Sequence, residues 1–387
     1  MMAALITAGV IGVGTWQTEQ EPALLTSLSQ AASHPSTGSE AFGPTWPSPP
    51  STSASNGPAT PATPANAGTT PRSTPGSGRP TTRPTTRART AAPRRRTPAR
   101  AAAVGLTAAA QQLTDLPYAN VSAAQKLDLY LPQRNGTAVP LLIDIHGGAF
   151  MGGAKSEAGG RINALVEHGY AVASINYRLS GEAHFPAGMK DVKAAIRWLR
   201  ASAPRYGIDP NRFAAWGDSA GGYFAAMLGA TSGVTTSFDD ATLGNAKVSS
   251  AVQAVVDFYG PVDFLTMDQQ NTDPGGCPQS PQVHNAADSP ESLWLGSPVQ
   301  SVAAVARTAN PITYLGRGNP PPFFVAHGTA DCLVPQGQTL ELLSALRARG
   351  IRTTSRLLPG VGHGASTFDE QLQSPVLTFL DSALGHA

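Results

Sequence analysis

The sequence predicts an α/β domain: a mostly parallel central sheet with helices on both faces and a small insert placed as a lid. Three observations carry that expectation. Strand-like and helix-like apolar periods alternate along the chain, the pattern of a sheet whose parallel strands are joined by helices. Several of the strand segments are almost continuously apolar, as strands covered on both faces are. The polar and glycine-rich segments that could carry chemistry come directly after strands, at the sheet edge where open α/β folds build their sites.

Taken in order, "KLDLYLP" alternates Leu127, Leu129 and Leu131 and reads as an early antiparallel strand. "VPLLIDIHGG" is apolar from Val139 to Ile145 with one acidic interruption, and "YAVASINYR" is a second buried strand. "MKDVKAAIRWLRASA" sets Met189, Val192, Ile196 and Leu199 at helical spacing. "RFAAWG" is a strand and "AGGYFAAMLGA" the helix after it. "AVQAVVDFYG", "PPFFVAHG" and "TTSRLLPG" supply further strands, with helices in "GQTLELLSALRARG" and "SPVLTFLDSAL".

Composition divides the 387 residues unevenly. Residues 17–104 are dominated by Pro, Ser, Thr, Ala, Gly and Arg. Such a stretch buries too little apolar surface to offset the entropy of ordering it, so a disordered stalk is expected. The first 100 residues hold nine Arg, no Lys and three acidic residues, a net +6, which leaves the rest at −4 within the overall +2. A basic stalk suits a solvated linker, with weak contact to anionic cell-wall polymer or membrane surface as its one expected partner. Residues 1–16 form an apolar run, short for a membrane span and similar to a secretory signal without its basic start. A cleaved signal, a retained anchor and a mis-assigned start all fit, and export or cell-surface display is expected over a cytoplasmic location. Residues 105–387 are expected to form one α/β domain with a full core.

The chemistry starts at "WGDSAGG". One serine, Ser219, stands among residues small enough for a backbone bend that thrusts its hydroxyl outward between strand and helix. A serine hydroxyl needs a base, and the base needs a third group to hold its tautomer. "HGTADCLVP" puts Asp331 just past one late strand, and "GVGHGAS" puts His363 just past the next. Ser, Asp, His is also the chain order of α/β-hydrolase triads. "DIHGGAF" follows a buried strand and offers backbone N–H groups for a developing oxyanion. Gly147, Gly148 and Ala149 are assigned to that hole, together with the N–H of Ala220 beside the nucleophile.

These segments resemble those of carboxylesterases and lipases of the α/β-hydrolase superfamily. The group with bacterial feruloyl and acetylxylan esterases, near the hormone-sensitive-lipase branch, is the most similar. "LDLYLP", "ASINYRLSGEAHFPAGMKDVKAAIRWLR", "YGIDPNRFAAWGDSAGG" and "AVVDFYGPVDF" extend the resemblance over about residues 118–380. It implies an α/β-hydrolase fold and ester hydrolysis. One departure is Ala149, where the hormone-sensitive-lipase pattern has a third glycine.

The expected reaction is hydrolysis of short-acyl carboxylic esters through an acyl-enzyme, acetyl or feruloyl esters of plant polysaccharide among them. Substrates would be small or polymer-linked esters. An amidase or peptidase of the same fold, and a catalytically silent binding module, stand as alternatives. Asp263 in "GPVDF" also follows a strand and rivals Asp331 as the acid, although the Asp331 loop lies one strand before that of His363. Asp218 reads as structural, His146 as an orienter of the oxyanion loop, and His184 and His284 as surface or lid residues. No metal-ligand spacing, phosphate loop or dinucleotide fingerprint occurs, so no cofactor and no metal are expected. Nothing in the folded part suggests nucleic-acid binding. The two cysteines, Cys277 and Cys332, both fall in loop sequence, and an exported chain would join them as a disulfide.

Overall fold

The computed structural model describes residues 111–133, 136–157, 159–273, 275–277 and 282–386. The expected leader 1–16, the expected stalk 17–104 and the first residues of the expected 105–387 domain lie outside the described residues. In chain order the strands are β1 (Gln111–Pro117), β2 (Lys126–Leu131), β3 (Val139–Ile145), β4 (Ala171–Ile175), β5 (Ile208–Asp218), β6 (Ala254–Phe258), β7 (Phe323–Gly328) and β8 (Thr353–Leu358). The helices are α1 (Gly159–Glu167), α2 (Ala187–Tyr206), α3 (Ala220–Ala230), α4 (Met267–Thr272), α5 (Pro290–Leu295), α6 (Ala303–Ala309), α7 (Gln336–Ala348) and α8 (Ala365–Leu384).

The strands form one sheet in the order β1-β2-β4-β3-β5-β6-β7-β8. β2 pairs antiparallel with β1 and β4, and every pair from β4 onward is parallel. Side chains alternate across it. Leu141, Ile143 and Ile145 of β3 enter a core shared with α2, α3 and α7, while Leu142 enters a second core with α1 and α8. Met189, Val192, Ile196 and Leu199 are the buried stripe of α2, as their spacing predicts. The chain leaves β3 for β4 on one side and then crosses to β5 on the other. The crevice at the carboxyl ends of β3 and β5 is therefore the switch point where ligands bind in such sheets.

Besides α4, α5 and α6, for which the sequence reading named no helix, three elements differ from it. β1 carries too little apolar alternation to be recognised, and five of its seven residues are exposed at the sheet edge. α1 lies on the second face without having been expected. α8 is longer than its "SPVLTFLDSAL" segment and contains Pro375 in its interior. Phe368, Leu372, Val376 and Leu380 are buried against the sheet, and that burial outweighs the hydrogen bond the proline removes.

Candidate active site

Ser219 sits on the turn between β5 and α3 with φ 55° and ψ −122°, a conformation that L-residues rarely adopt. Its N–H donates to Phe258 O at 2.9 Å. The neighbouring small residues now have a geometric reason. A Cβ on Gly217 would stand 2.2 Å from the carbonyl of Gly221, and one on Gly221 would stand 2.0 Å from Ile145 O. The helix start is pressed against the end of β3, and only glycine lets it approach.

β3 delivers His146 and the turn Gly147–Phe150 to the same place. A Cβ on Gly147 would lie 3.4 Å from Ser219 Cβ, so this backbone runs directly beside the elbow. Gly148, Ala149 and Phe150 have φ of 106°, 54° and 60°, and Met151 N and Gly152 N close the turn onto Gly148 O. Among the described residues, no protein acceptor takes the N–H of Gly147, Gly148 or Ala149. Ala220 begins α3, where a backbone N–H has no partner within the helix. Ala149 thus holds a left-handed conformation that a glycine would adopt without strain. His146 Nδ1 is 2.7 Å from Gly147 O, and its ring stacks on Tyr177 at 4.4 Å. Tyr177 donates to His146 O, and burial pushes the His146 imidazole below its ordinary value, toward the neutral form.

On the far side, Asp331 follows β7 and His363 follows β8. His363 Nδ1 lies 2.7 Å from Asp331 Oδ2. The other carboxylate oxygen accepts Leu333 N and Val334 N, both at 2.9 Å. His327, fully buried on β7, places Nε2 3.4 Å from the same Oδ2, while its Nδ1 meets Thr339 Oγ1 at 2.8 Å. Burial opposes ionisation of Asp331, yet the two imidazoles hold it well below the usual carboxylate range. The rival Asp263 is elsewhere. It accepts Leu265 N, and Gln338 of α7 grips its backbone.

The two halves converge on the end of β6. Phe258 O receives the Ser219 N–H, and the next residue, Tyr259, packs edge-on against the His363 imidazole with centroids 4.6 Å apart. Tyr259 has φ 43° and is buried. Neither Tyr259 nor His327 was singled out from the sequence. "HGTAD" contains His327, but nothing in the text marks its side chain as facing Asp331.

A disulfide joins Cys277 and Cys332, with Cα atoms 5.3 Å apart. It ties the segment between β6 and β7 to the residue beside Asp331. In that segment, Trp294 of α5 stacks on Phe150 of the Gly147–Phe150 turn at 4.8 Å. His184 is exposed and meets Leu293 O. His284 is not on the surface: it is fully buried in the insert, 3.1 Å from Glu291. Beside the Gly147–Phe150 turn a cavity of about 300 Å³ is lined by His146, Met151, Gly153, Tyr177 and Glu182, among others.

Residues 127–346 match the BD-FAE family. The chain belongs to that family. This BD-FAE member is 32% identical over 255 residues to the esterase LipC of Mycobacterium tuberculosis, covering 65% of this chain and 60% of LipC. It is 31% identical over 260 residues to LipQ of the same organism, covering 66% of this chain and 57% of LipQ. The chain therefore spans less than two thirds of the length of these curated relatives. Among solved structures, a truncated carbohydrate esterase from gut microbiota superimposes with a TM-score of 0.64 and 32% identity, over 71% of this chain and 96% of that one. A bifunctional GH43-CE protein of Bacteroides eggerthii gives 0.62 and 33%, over 70% of this chain and 38% of that one.

Proposed function

We propose that this BD-FAE member is a serine carboxylic-ester hydrolase with Ser219 as nucleophile, His363 as base and Asp331 as acid. The observation that carries the reading is the 2.7 Å contact between His363 Nδ1 and a carboxylate whose other oxygen is already occupied by two backbone N–H groups. An acceptor fixed in that way keeps the proton on Nδ1 and leaves Nε2 free to take one from a hydroxyl. Ser219 Oγ then attacks the ester carbonyl. The oxyanion is received by N–H groups of the Gly147–Ala149 turn and Ala220, an arrangement whose loss costs about 10²–10³ in rate per donor. His363 passes its proton to the departing alcohol, and water repeats the cycle on the acyl-enzyme.

The substrate proposal is short-acyl esters, with acetyl or feruloyl groups on plant polysaccharide included. Its support is the esterase and carbohydrate-esterase names of the relatives. Export is proposed from the disulfide, which persists in oxidising compartments. The basic stalk is proposed as a solvated tether with weak affinity for anionic surfaces. A series of p-nitrophenyl esters from acetate to octanoate, run beside acetylated xylan, methyl ferulate and a p-nitroanilide, tests the reading. Turnover should be highest at two to four acyl carbons and absent on the anilide. Preference for the anilide, or turnover surviving Ser219→Ala, would sink it.

A further inference from the structure

Beneath the candidate site one guanidinium is shared by three carboxylates. Arg161 of α1, its side chain 6% exposed, reaches Asp144 Oδ1 at 3.2 Å, Asp218 Oδ1 at 3.4 Å and Asp369 Oδ1 at 3.1 Å. A second contact joins Nη2 to Asp369 Oδ2 at 3.3 Å, and the guanidinium lies 4.6 Å over the ring of Trp216. Asp144 also accepts Ser174 Oγ at 2.8 Å. The placement of the three acids is the informative part. Asp144 is the penultimate residue of β3, two before His146 and the oxyanion turn. Asp218 immediately precedes Ser219. Asp369 lies on the first turns of α8, the helix that His363 leads into.

Stability alone does not ask for such a group, because apolar residues of similar volume fill a buried site at least as well as an ion cluster. A planar fork with donors aimed in several directions does something else: it fixes the relative position of whatever it binds. We propose that Arg161 and its three carboxylates are a positioning cluster for the ester hydrolysis. The fork sets the oxyanion strand, the nucleophile elbow and the histidine loop in mutual register, and the surplus negative charge steadies the imidazolium formed when His363 takes the serine proton. The proposal rests on the Ser219–His363–Asp331 reading.

Asp331 meets His363 from the acid loop with His327 behind it on β7, Tyr259 packs against its ring from β6, Asp218 of the elbow interacts with it electrostatically, and Asp369 of α8 and Arg161 of α1 are linked to it through Asp218. Burial pushes Asp144, Asp218 and Asp369 upward while Arg161 opposes it. Removing one negative charge from this group makes the imidazolium easier to deprotonate.

The test uses the full chain, p-nitrophenyl acetate and two variants. Asp369→Asn is nearly isosteric and its parent side chain is 30% exposed, so the fold should survive. It should lower kcat severalfold with KM within twofold, and move the acid limb of the kcat/KM profile to lower pH. Arg161→Lys keeps the charge but loses the fork, and should cost roughly ten- to a hundredfold in kcat, the scale of a displacement near 1 Å. A folded Asp369→Asn protein with unchanged kcat and an unmoved acid limb overturns the proposal. So does an Arg161→Lys protein that melts earlier but keeps full kcat in its folded fraction. Activity in Ser219→Ala would instead remove the triad reading beneath it, and is read separately.

Discussion

Replacing Asp331 by Asn is the sharpest single test of the proposed acid, and the structure says how the substitution must settle. Asp331 Oδ1 accepts two backbone N–H groups at 2.9 Å, so the asparagine has to keep its oxygen there. Its amide nitrogen is then forced into the place of Oδ2, 2.7 Å from His363 Nδ1 and 3.4 Å from His327 Nε2. That nitrogen only donates. His363 must therefore present Nδ1 as an acceptor and carry its proton on Nε2, the atom that would otherwise take the proton of Ser219. The wrong tautomer is enforced by the same two amides that stabilise the loop. In serine hydrolases this change costs about 10⁴ in kcat, close to 5.5 kcal/mol of barrier. The assay is kcat on p-nitrophenyl acetate at neutral pH, with Tm recorded to show that the loop still forms. A kcat within tenfold of the parent would refute the reasoning and make Asp263→Asn the next variant to measure.

Ser219→Gly and Ser219→Ala should both be inactive, but the glycine variant should be the more stable of the two by about 1 kcal/mol, since only glycine adopts that backbone freely; equal Tm values would count against a strained elbow. Reducing the Cys277–Cys332 bridge, which closes 55 residues, should cost about 4 kcal/mol in the chain-entropy model. It should also lower activity, because residue 332 adjoins Asp331; alkylation of both thiols in the native protein without reductant would disprove the bridge. Asp257, fully buried with one oxygen on Gly260 N, is pushed up to about 6 by burial. A raised carboxyl contributes its full stability below the unfolded value and loses it as pH rises through about 6, so Asp257→Asn should be the more stable protein at pH 8 by up to about 3 kcal/mol, with little difference at pH 4. Urea midpoints at the two pH values decide it, and an advantage confined to pH 4 would reverse the sign.

Much of the fold and site could be read from the text because each part leaves a local mark. β3, β4 and β7 are buried on both faces and are therefore apolar but for one polar residue each, Asp144, Ser174 and His327. The elbow needs glycines where a Cβ would strike a carbonyl. Asp331 and His363 each follow a strand by a few residues, so their shared edge is implied by the parallel sheet. What escaped lacks such a mark. β1 is a largely exposed edge strand. Pro375 looks like a boundary until the buried face of α8 is seen. Arg161 stands in "GGRINALV", an ordinary helix start, and its three carboxylates are far from it and from one another in sequence. Tyr259 was inside a quoted segment, yet only its backbone angle and its face against His363 distinguish it from a core tyrosine.

The backbone strain shows how the site is held open. Six non-glycine residues among those described have positive φ, and Ala149, Phe150, Ser219 and Tyr259 are four of them. All four surround the same crevice. Each costs of order 1–3 kcal/mol if it sits in a sparsely populated region, so the surrounding packing has to hold them there. Phe150 is clamped between Trp294 and the Tyr223–Phe224 pair. Ser219 is held by Phe258 O, and Tyr259 by its N–H on Ala326 O at 2.7 Å and by Phe368. The clamps come from α3, β6, β7, α8 and the insert, so no single loop sets the geometry. A site strained at four points and braced from five directions cannot relax one residue without disturbing the others. That coupling is why substitutions in the braces, and not only in Ser219, Asp331 and His363, should register in kcat.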